Sequence, residues 1–304
     1  MPRLLLPPVA RGWATALLNG CSQIFLQRHP LCGLLILLAI AIGAPALLGG
    51  ALLGGFAGWL TALRRGYAKE DIEAGLYGYN GVLLGLLLCF KFAWSAWLPP
   101  LIVASSALSS LMLHALLQRT RQQQWLPAYT LPFVSLSWLL LWLGGPLELL
   151  PATSPVSPPL PLDWLTLLAA VARGLGQIIF LDQPLAGVCL LAGLCLADRR
   201  AACWALLGSA AGLGLALGQG WPDQTALAGL YGYNTALAAL ALSQNRRQPW
   251  APLIGIALAL LLQPGFAALG LPALTAPFIL ACWLVQASLR LLRQAAADCH
   301  PIAN

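Results

Sequence analysis

Apolar stretches dominate the chain, separated by short polar, glycine- or proline-bearing breaks. They run over roughly 12–26, 31–47, 51–64, 80–97, 100–118, 130–144, 164–181, 185–197, 202–218, 233–243, 250–268 and 274–292. A membrane-crossing helix takes about 20 apolar residues, so the pattern leaves room for roughly ten crossings. Several stretches are too short to cross alone, and Gly43, Pro45, Gly49, Gly50, Gly54 and Gly55 interrupt one of the longest apolar regions. Small residues let helices approach closely. Breaks at membrane depth leave backbone groups unpaired, which is tolerated only inside protein or along a watery cavity. The pattern predicts an all-α polytopic membrane protein with broken helices inside it. A proline-rich stretch, 144–163 (GGPLELLPATSPVSPPLPLD), sits near the middle of the chain. It predicts a first half over 1–144, a linker over 145–163 and a second half over 164–304, integrated as one membrane domain.

Composition sharpens this picture. Of 304 residues, 60% are hydrophobic and 8% charged, against about 25% charged in a soluble domain. So few charges cannot cover a water-facing surface, which excludes a soluble enzyme, a disordered chain and a nucleic-acid-binding module. The net charge of +7 lies in short clusters between apolar runs: Arg64–Arg65, Arg119 and Arg121, Arg199–Arg200, Arg246–Arg247, Arg290 and Arg293. Such clusters read as topological signals on the cytoplasmic side, and the last pair favours a cytoplasmic C-terminus. No cluster reaches the size of a dedicated anionic-lipid site. The eight cysteines form no CxxC pair, and His29, His114 and His300 are far apart, so no metal site, cofactor or disulfide framework is expected. Residues 1–12 hold three prolines and too short an apolar core for a cleavable signal. The small size and short termini suit a bacterial inner membrane.

Polar residues recur in register. Gly75-Leu76-Tyr77-Gly78-Tyr79-Asn80 returns unchanged as Gly229-Leu230-Tyr231-Gly232-Tyr233-Asn234, an offset of 154 (229 minus 75). Gln23, Pro30 and Gly33 return at the same offset as Gln177, Pro184 and Gly187. Leu126-Pro127-Ala128-Tyr129-Thr130-Leu131-Pro132-Phe133 returns as Leu271-Pro272-Ala273-Leu274-Thr275-Ala276-Pro277-Phe278, but at offset 145, so the second half lost nine residues between these elements. Three signatures in one order twice over predict an internal duplication. Matching broken segments in two membrane halves point to a midplane pathway at the repeat interface. Span counting alone leaves inverted and parallel repeats both open.

The segments 70–80 and 222–234 read as re-entrant half-helices, whose last carbonyls lack intrahelical partners and can form an acceptor surface. A buried turn capped by Asn80 and Asn234 is the alternative. Gln23 and Gln177 in apolar stretches are helix–helix glue or pathway residues. Thr130 and Thr275 bond their own helix carbonyls or line a polar cavity that the adjacent prolines open. No carboxylate or histidine relay and no catalytic triad is discernible. A small neutral cargo moving downhill follows. A coupled secondary transporter of another small neutral polar solute is the second reading, and an enzyme is not expected.

The duplicated Gln-x-x-Phe…Pro-x-x-Gly, Gly-Leu-Tyr-Gly-Tyr-Asn and Leu-Pro-x-x-Thr-x-Pro-Phe patterns resemble the urea transporters over about residues 20–290. The resemblance implies two inverted halves, each with five spanning helices and a re-entrant pore helix. It also implies a homotrimer in the lipid membrane and channel-like passage of urea through a flat slot. In that slot an oxygen ladder would run between aromatic and aliphatic walls. Carried over, Gln23 and Gln177 are mouth residues, and Ile24 and Ile178 adjacent walls. Tyr79, Leu83, Tyr233 and Leu237 are walls around the pore motif, and Thr130 and Thr275 the central threonines. Phe180 is the motif aromatic of the second half. The first half has Leu26 there, with Phe25 one residue earlier, and Tyr stands at 79 and 233 where the family often has Phe. The chemistry suits urea independently. A flat neutral amide with four N–H donors needs acceptors to replace its water, and uncharged acceptors hold it weakly enough to release it.

Overall fold

A computed structural model describes residues 8–123, 126–152 and 159–298. Cys299, His300, residues 1–7 and the middle of the expected linker, 153–158, lie outside the described residues. Within them the chain is helical, with one isolated antiparallel bridge between Phe92 and Pro151. The first half holds α1 (Pro8–Gln23), α2 (Pro30–Gly43), α3 (Leu48–Arg64), α4 (Lys69–Glu73), α5 (Tyr79–Lys91), α6 (Leu98–Gln123) and α7 (Leu131–Leu143). The second holds α8 (Trp164–Gly176), α9 (Pro184–Ala197), α10 (Arg199–Gly218), α11 (Asp223–Leu227), α12 (Gly232–Ser243), α13 (Ala251–Ala268) and α14 (Ala276–Asp298).

The two series match element by element. Left-handed backbone positions pair at offset 154, as Leu26 with Phe180, Gly66 with Gly220 and Gly75 with Gly229, and at offset 145 as Tyr129 with Leu274. Non-glycine residues rarely adopt that conformation, so its return where the side chains differ marks a repeated backbone path. Five helices are long and apolar enough to cross a membrane, α8 and α9 form a further pair bent by 77°, and α2, α5 and α7 are shorter apolar helices. Large apolar side chains such as Leu34, Leu38, Leu253 and Leu261 face outward. This is a multi-pass membrane protein whose outer surface meets hydrocarbon.

Glycines set the closest helix contacts. A Cβ on Gly33 would land on the Leu18 carbonyl of α1, and one on Gly187 would land on the Ala172 carbonyl of α8. The same small-residue seam thus packs the first helix of each half onto the second. Across the halves, α2 lies against α9.

The expected half-helix over 70–80 is corrected. The helix stops at Glu73, the chain turns through Ala74–Gly78, and Tyr79 begins the next helix. Gly75 forces the break. Its φ is +80°, and a side chain there would strike the backbone of Asn19 and Gly20. Burial adds a partner that charge counting missed: Asp71 accepts two hydrogen bonds from Arg121, at 2.8 and 2.9 Å, tying α4 to α6. Arg121 is therefore a structural contact and not only a topological signal.

α7 and α14 begin on borrowed caps. The first amides of a helix lack intrahelical partners. Here the Phe133 amide donates to Asn80 Oδ1 at 3.2 Å, and the Phe278 amide to Asn234 Oδ1 at 3.3 Å. Asn234 also donates from Nδ2 to the Leu274 carbonyl at 3.0 Å, whereas Asn80 Nδ2 is buried with no partner among the described residues.

Two outcomes follow. Gly33→Ala and Gly187→Ala each lower stability by about 1–3 kcal/mol through overpacking, read as a fall in the detergent-solubilised melting temperature; an unchanged melting point contradicts the seam. Asn80→Ala and Asn234→Ala each cost about 1 kcal/mol, as a lost helix cap does. The Asn234 change costs the more, because it also strips the Leu274 carbonyl, and the same melting assay orders the two.

Candidate functional site

The halves meet at two hydroxyls. Thr130 occupies the N-cap position of α7, where a threonine ordinarily accepts from the third amide of its helix. That amide belongs to Phe133 and is already bonded to Asn80. The Thr130 hydroxyl is thereby released, and it meets the Thr275 hydroxyl at 2.7 Å, both residues being buried. Each hydroxyl has one donor and two acceptor lone pairs. One mutual bond leaves acceptor capacity on both.

Gln23 and Gln177 occupy equivalent places at the helix breaks. Gln23 Nε2 donates to the Ala74 carbonyl at 3.0 Å and Gln177 Nε2 to the Ala228 carbonyl at 3.0 Å. Asn19 Nδ2 bonds the Glu73 carbonyl at 2.8 Å, and Arg173, its counterpart at offset 154, bonds the Leu227 carbonyl at 3.3 Å. The expected bare column of helix-end carbonyls is therefore corrected: side chains cover these four. An amide whose nitrogen is committed presents its oxygen in a fixed direction. Among the described residues neither glutamine oxygen receives a hydrogen bond.

The remaining predicted residues sort by exposure. Ile24, Ile178, Leu83 and Leu237 are buried in one apolar core cluster spanning both halves. Leu26 and Phe180 hold the equivalent left-handed positions and are only partly buried, whereas Phe25 is fully buried and corresponds to Ile179. Phe25 thus serves the core, and Leu26 is the counterpart of Phe180. The opposite half secures each of these positions. The Phe180 ring lies 5.4 Å from Phe90 and 6.4 Å from Phe133. Gln244, at the position matching Phe90, donates to the Leu26 carbonyl at 3.1 Å.

The two tyrosines part company. The Tyr79 hydroxyl donates to the Tyr129 carbonyl. In the second half the matching Leu274 carbonyl is taken by Asn234 instead. One carbonyl per half thus has two candidate donors, and each half selects a different one.

Sequence reasoning missed the tryptophans. Trp138 Nε1 donates to the Pro272 carbonyl at 2.9 Å, and Trp283 Nε1 to the Pro127 carbonyl at 2.8 Å. Each reaches into the other half to hold the strand leading to its threonine. Their shared letter at offset 145 was the available signal. Asp71 is the sole buried carboxylate among the described residues, and it is paired with Arg121. No group of three metal-ligating side chains occurs among them.

This arrangement has relatives. The sequence model described as Urea transporter matches residues 14–289. Urea transporter 1 of Capra hircus is 29% identical over 299 residues, covering 91% of this chain and 77% of that protein. Urea transporter 1 of Rattus norvegicus is 34% identical over 261 residues, covering 77% of this chain and 64% of that protein. With a match across nearly the whole membrane domain, the chain belongs to the urea transporter family.

Proposed function

We propose that this protein conducts urea down its gradient, as a channel, through a slot framed by its two halves. The observation that carries this reading is the buried Thr130–Thr275 hydroxyl pair, contributed by the two halves in equal measure. In the proposed path Gln23 and Gln177 receive the solute at the two mouths. The threonine hydroxyls accept its N–H groups midway. Leu26, Phe180, Tyr79, Tyr233, Ile24, Ile178, Leu83 and Leu237 form the walls. Urea's hydration is costly to remove unless acceptors replace it, and these acceptors are uncharged, so binding stays weak enough for release. The halves are inverted, joined by the 145–163 linker, and three copies assemble in a bacterial inner membrane with one pore each. No catalytic step is assigned. Coupled transport draws on ionisable groups along the path, and the described path residues carry none.

Purified protein in proteoliposomes is expected to pass urea rapidly, with no response to protonophore or sodium ionophore. Flux equal to empty liposomes ends this reading. Thr275→Val keeps the side chain's shape and removes one acceptor, so flux falls about fivefold for a lost bond of about 1 kcal/mol. Unchanged flux removes Thr275 from the path. Tyr233→Phe is expected to change urea flux with little loss of stability, whereas Tyr79→Phe frees the Tyr129 carbonyl and costs about 1 kcal/mol of stability. Flux and melting assays on both variants separate these effects.

A further inference from the structure

The two mouths of the molecule differ, and the difference traces to the side chains on the last turns of two matching helices. In the first half α6 runs for 26 residues, and its final turns fold over the α4 end: Thr120 bonds the Leu126 carbonyl at 3.2 Å and Arg121 pairs with Asp71. Two turns earlier His114 stacks on Tyr67, with ring centroids 3.7 Å apart, and contacts the Tyr77 hydroxyl at 3.1 Å. These contacts tie α4 and the turn before it to α6. In the second half α13 ends at the matching residue, Ala268, but Ala259, Gly265 and Phe266 stand where His114, Thr120 and Arg121 do. Those contacts are absent, and a cavity of about 480 Å³ opens between α13, the 221–222 turn and the Leu271–Ala273 segment.

Its walls carry amide-binding chemistry. Trp221 and Tyr231, the counterparts of Tyr67 and Tyr77, present rings with centroids 4.9 Å apart. Gln263 donates from Nε2 to the Leu230 carbonyl at 2.7 Å, which fixes its amide, and its Oε1 is buried with no partner among the described residues. A buried acceptor left unpaired costs about 1–3 kcal/mol, a cost that an incoming N–H group relieves. The place is also right. Gln177 and Gln263 hold carbonyls two residues apart, Ala228 and Leu230, at one helix break. Tyr231 and Ala273 each precede a proposed path residue, Tyr233 and Thr275, by two positions.

We propose that this cavity is an accessory binding site for small flat amides, placed before Gln177 in the second-half mouth only. The aromatic rings would pack against one face of the solute, and Gln263 Oε1 would accept its N–H. The proposal rests on the conduction of urea by the same chain, and it makes the two membrane faces unequal in how they collect solute.

The test uses the full chain in proteoliposomes and two independent readouts. The first is urea flux against urea concentration. Gln263→Leu is expected to raise the half-saturating concentration about fivefold, for one lost hydrogen bond of about 1 kcal/mol, when urea enters from the second-half mouth, and not from the other. An equal concentration dependence from both sides, matching the unaltered chain, overturns the site. The second readout needs no transport. Ala267→Cys places a thiol on the cavity wall while Gln263 stays intact, and peptide-resolved mass spectrometry follows its alkylation by iodoacetamide. Urea, thiourea and acetamide are expected to slow labelling at that position, and adding Gln263→Leu to remove the protection. Labelling that ignores all three amides, or that is blocked in vesicles and fast in detergent as a lipid tail in the cavity would make it, overturns the proposal. Protection without any urea flux leaves the site standing and ends the channel reading instead.

Discussion

Backbone groups released inside a membrane must find partners within the protein, and this constraint governs where nearly every polar side chain of this chain sits. Water is absent from the hydrocarbon region, so each unpaired amide or carbonyl there costs several kcal/mol. Each half breaks its helices at matching places, and each break exposes such groups. Asn80 and Asn234 cap the amides of α7 and α14. Gln23, Gln177, Asn19 and Arg173 cover the carbonyls that end α4 and α11. Trp138 and Trp283 hold the extended Leu-Pro strands from across the molecule. None of these partners is acidic. Satisfying these breaks therefore draws on no carboxylate.

The same economy releases the central threonines. Had Thr130 capped its own helix, its hydroxyl would have been consumed locally. The asparagine takes that duty from a different helix, so the hydroxyl of each half is available to its counterpart. The contact between halves is thus a by-product of how two helices start. It also explains why the Asn of the tyrosine-rich motif and the Thr of the proline motif act as one unit although they lie 50 residues apart in the first half and 41 in the second.

The two halves follow one backbone path, and departures from it individualise them. The carbonyl before each central threonine is held by Tyr79 in one half and by Asn234 in the other. The Phe90 ring supports Phe180, while the matching Gln244 supports Leu26 through its backbone. The Asp71–Arg121 pair ties one end, and at the other Thr225 and Phe266 stand in those places. Each exchange keeps a backbone position in place while altering what the side chain offers, so the two halves are alike in path and unequal in chemistry.

The membrane class, the helical architecture and the duplicated halves were legible in the sequence, because low charge density and exact recurrence of Gln, Tyr, Asn, Thr and Pro constrain a chain wherever it folds. The candidate residues Gln23, Gln177, Thr130 and Thr275 were legible for the same reason: polar letters repeated in register inside apolar runs need partners. Their partners were not legible. Asn19 with Glu73, Asn80 with Phe133 and Trp138 with Pro272 lie 54, 53 and 134 positions apart, and no local periodicity encodes such pairings. The sequence alone likewise suggested that the tyrosine-rich motif ends a half-helix. Only the close approach of Gly75 to the α1 backbone turns it into the start of α5. What the letters determined is which groups must be satisfied at membrane depth; what tertiary packing decided is which neighbour satisfies each one, because that depends on distances that only the folded chain creates.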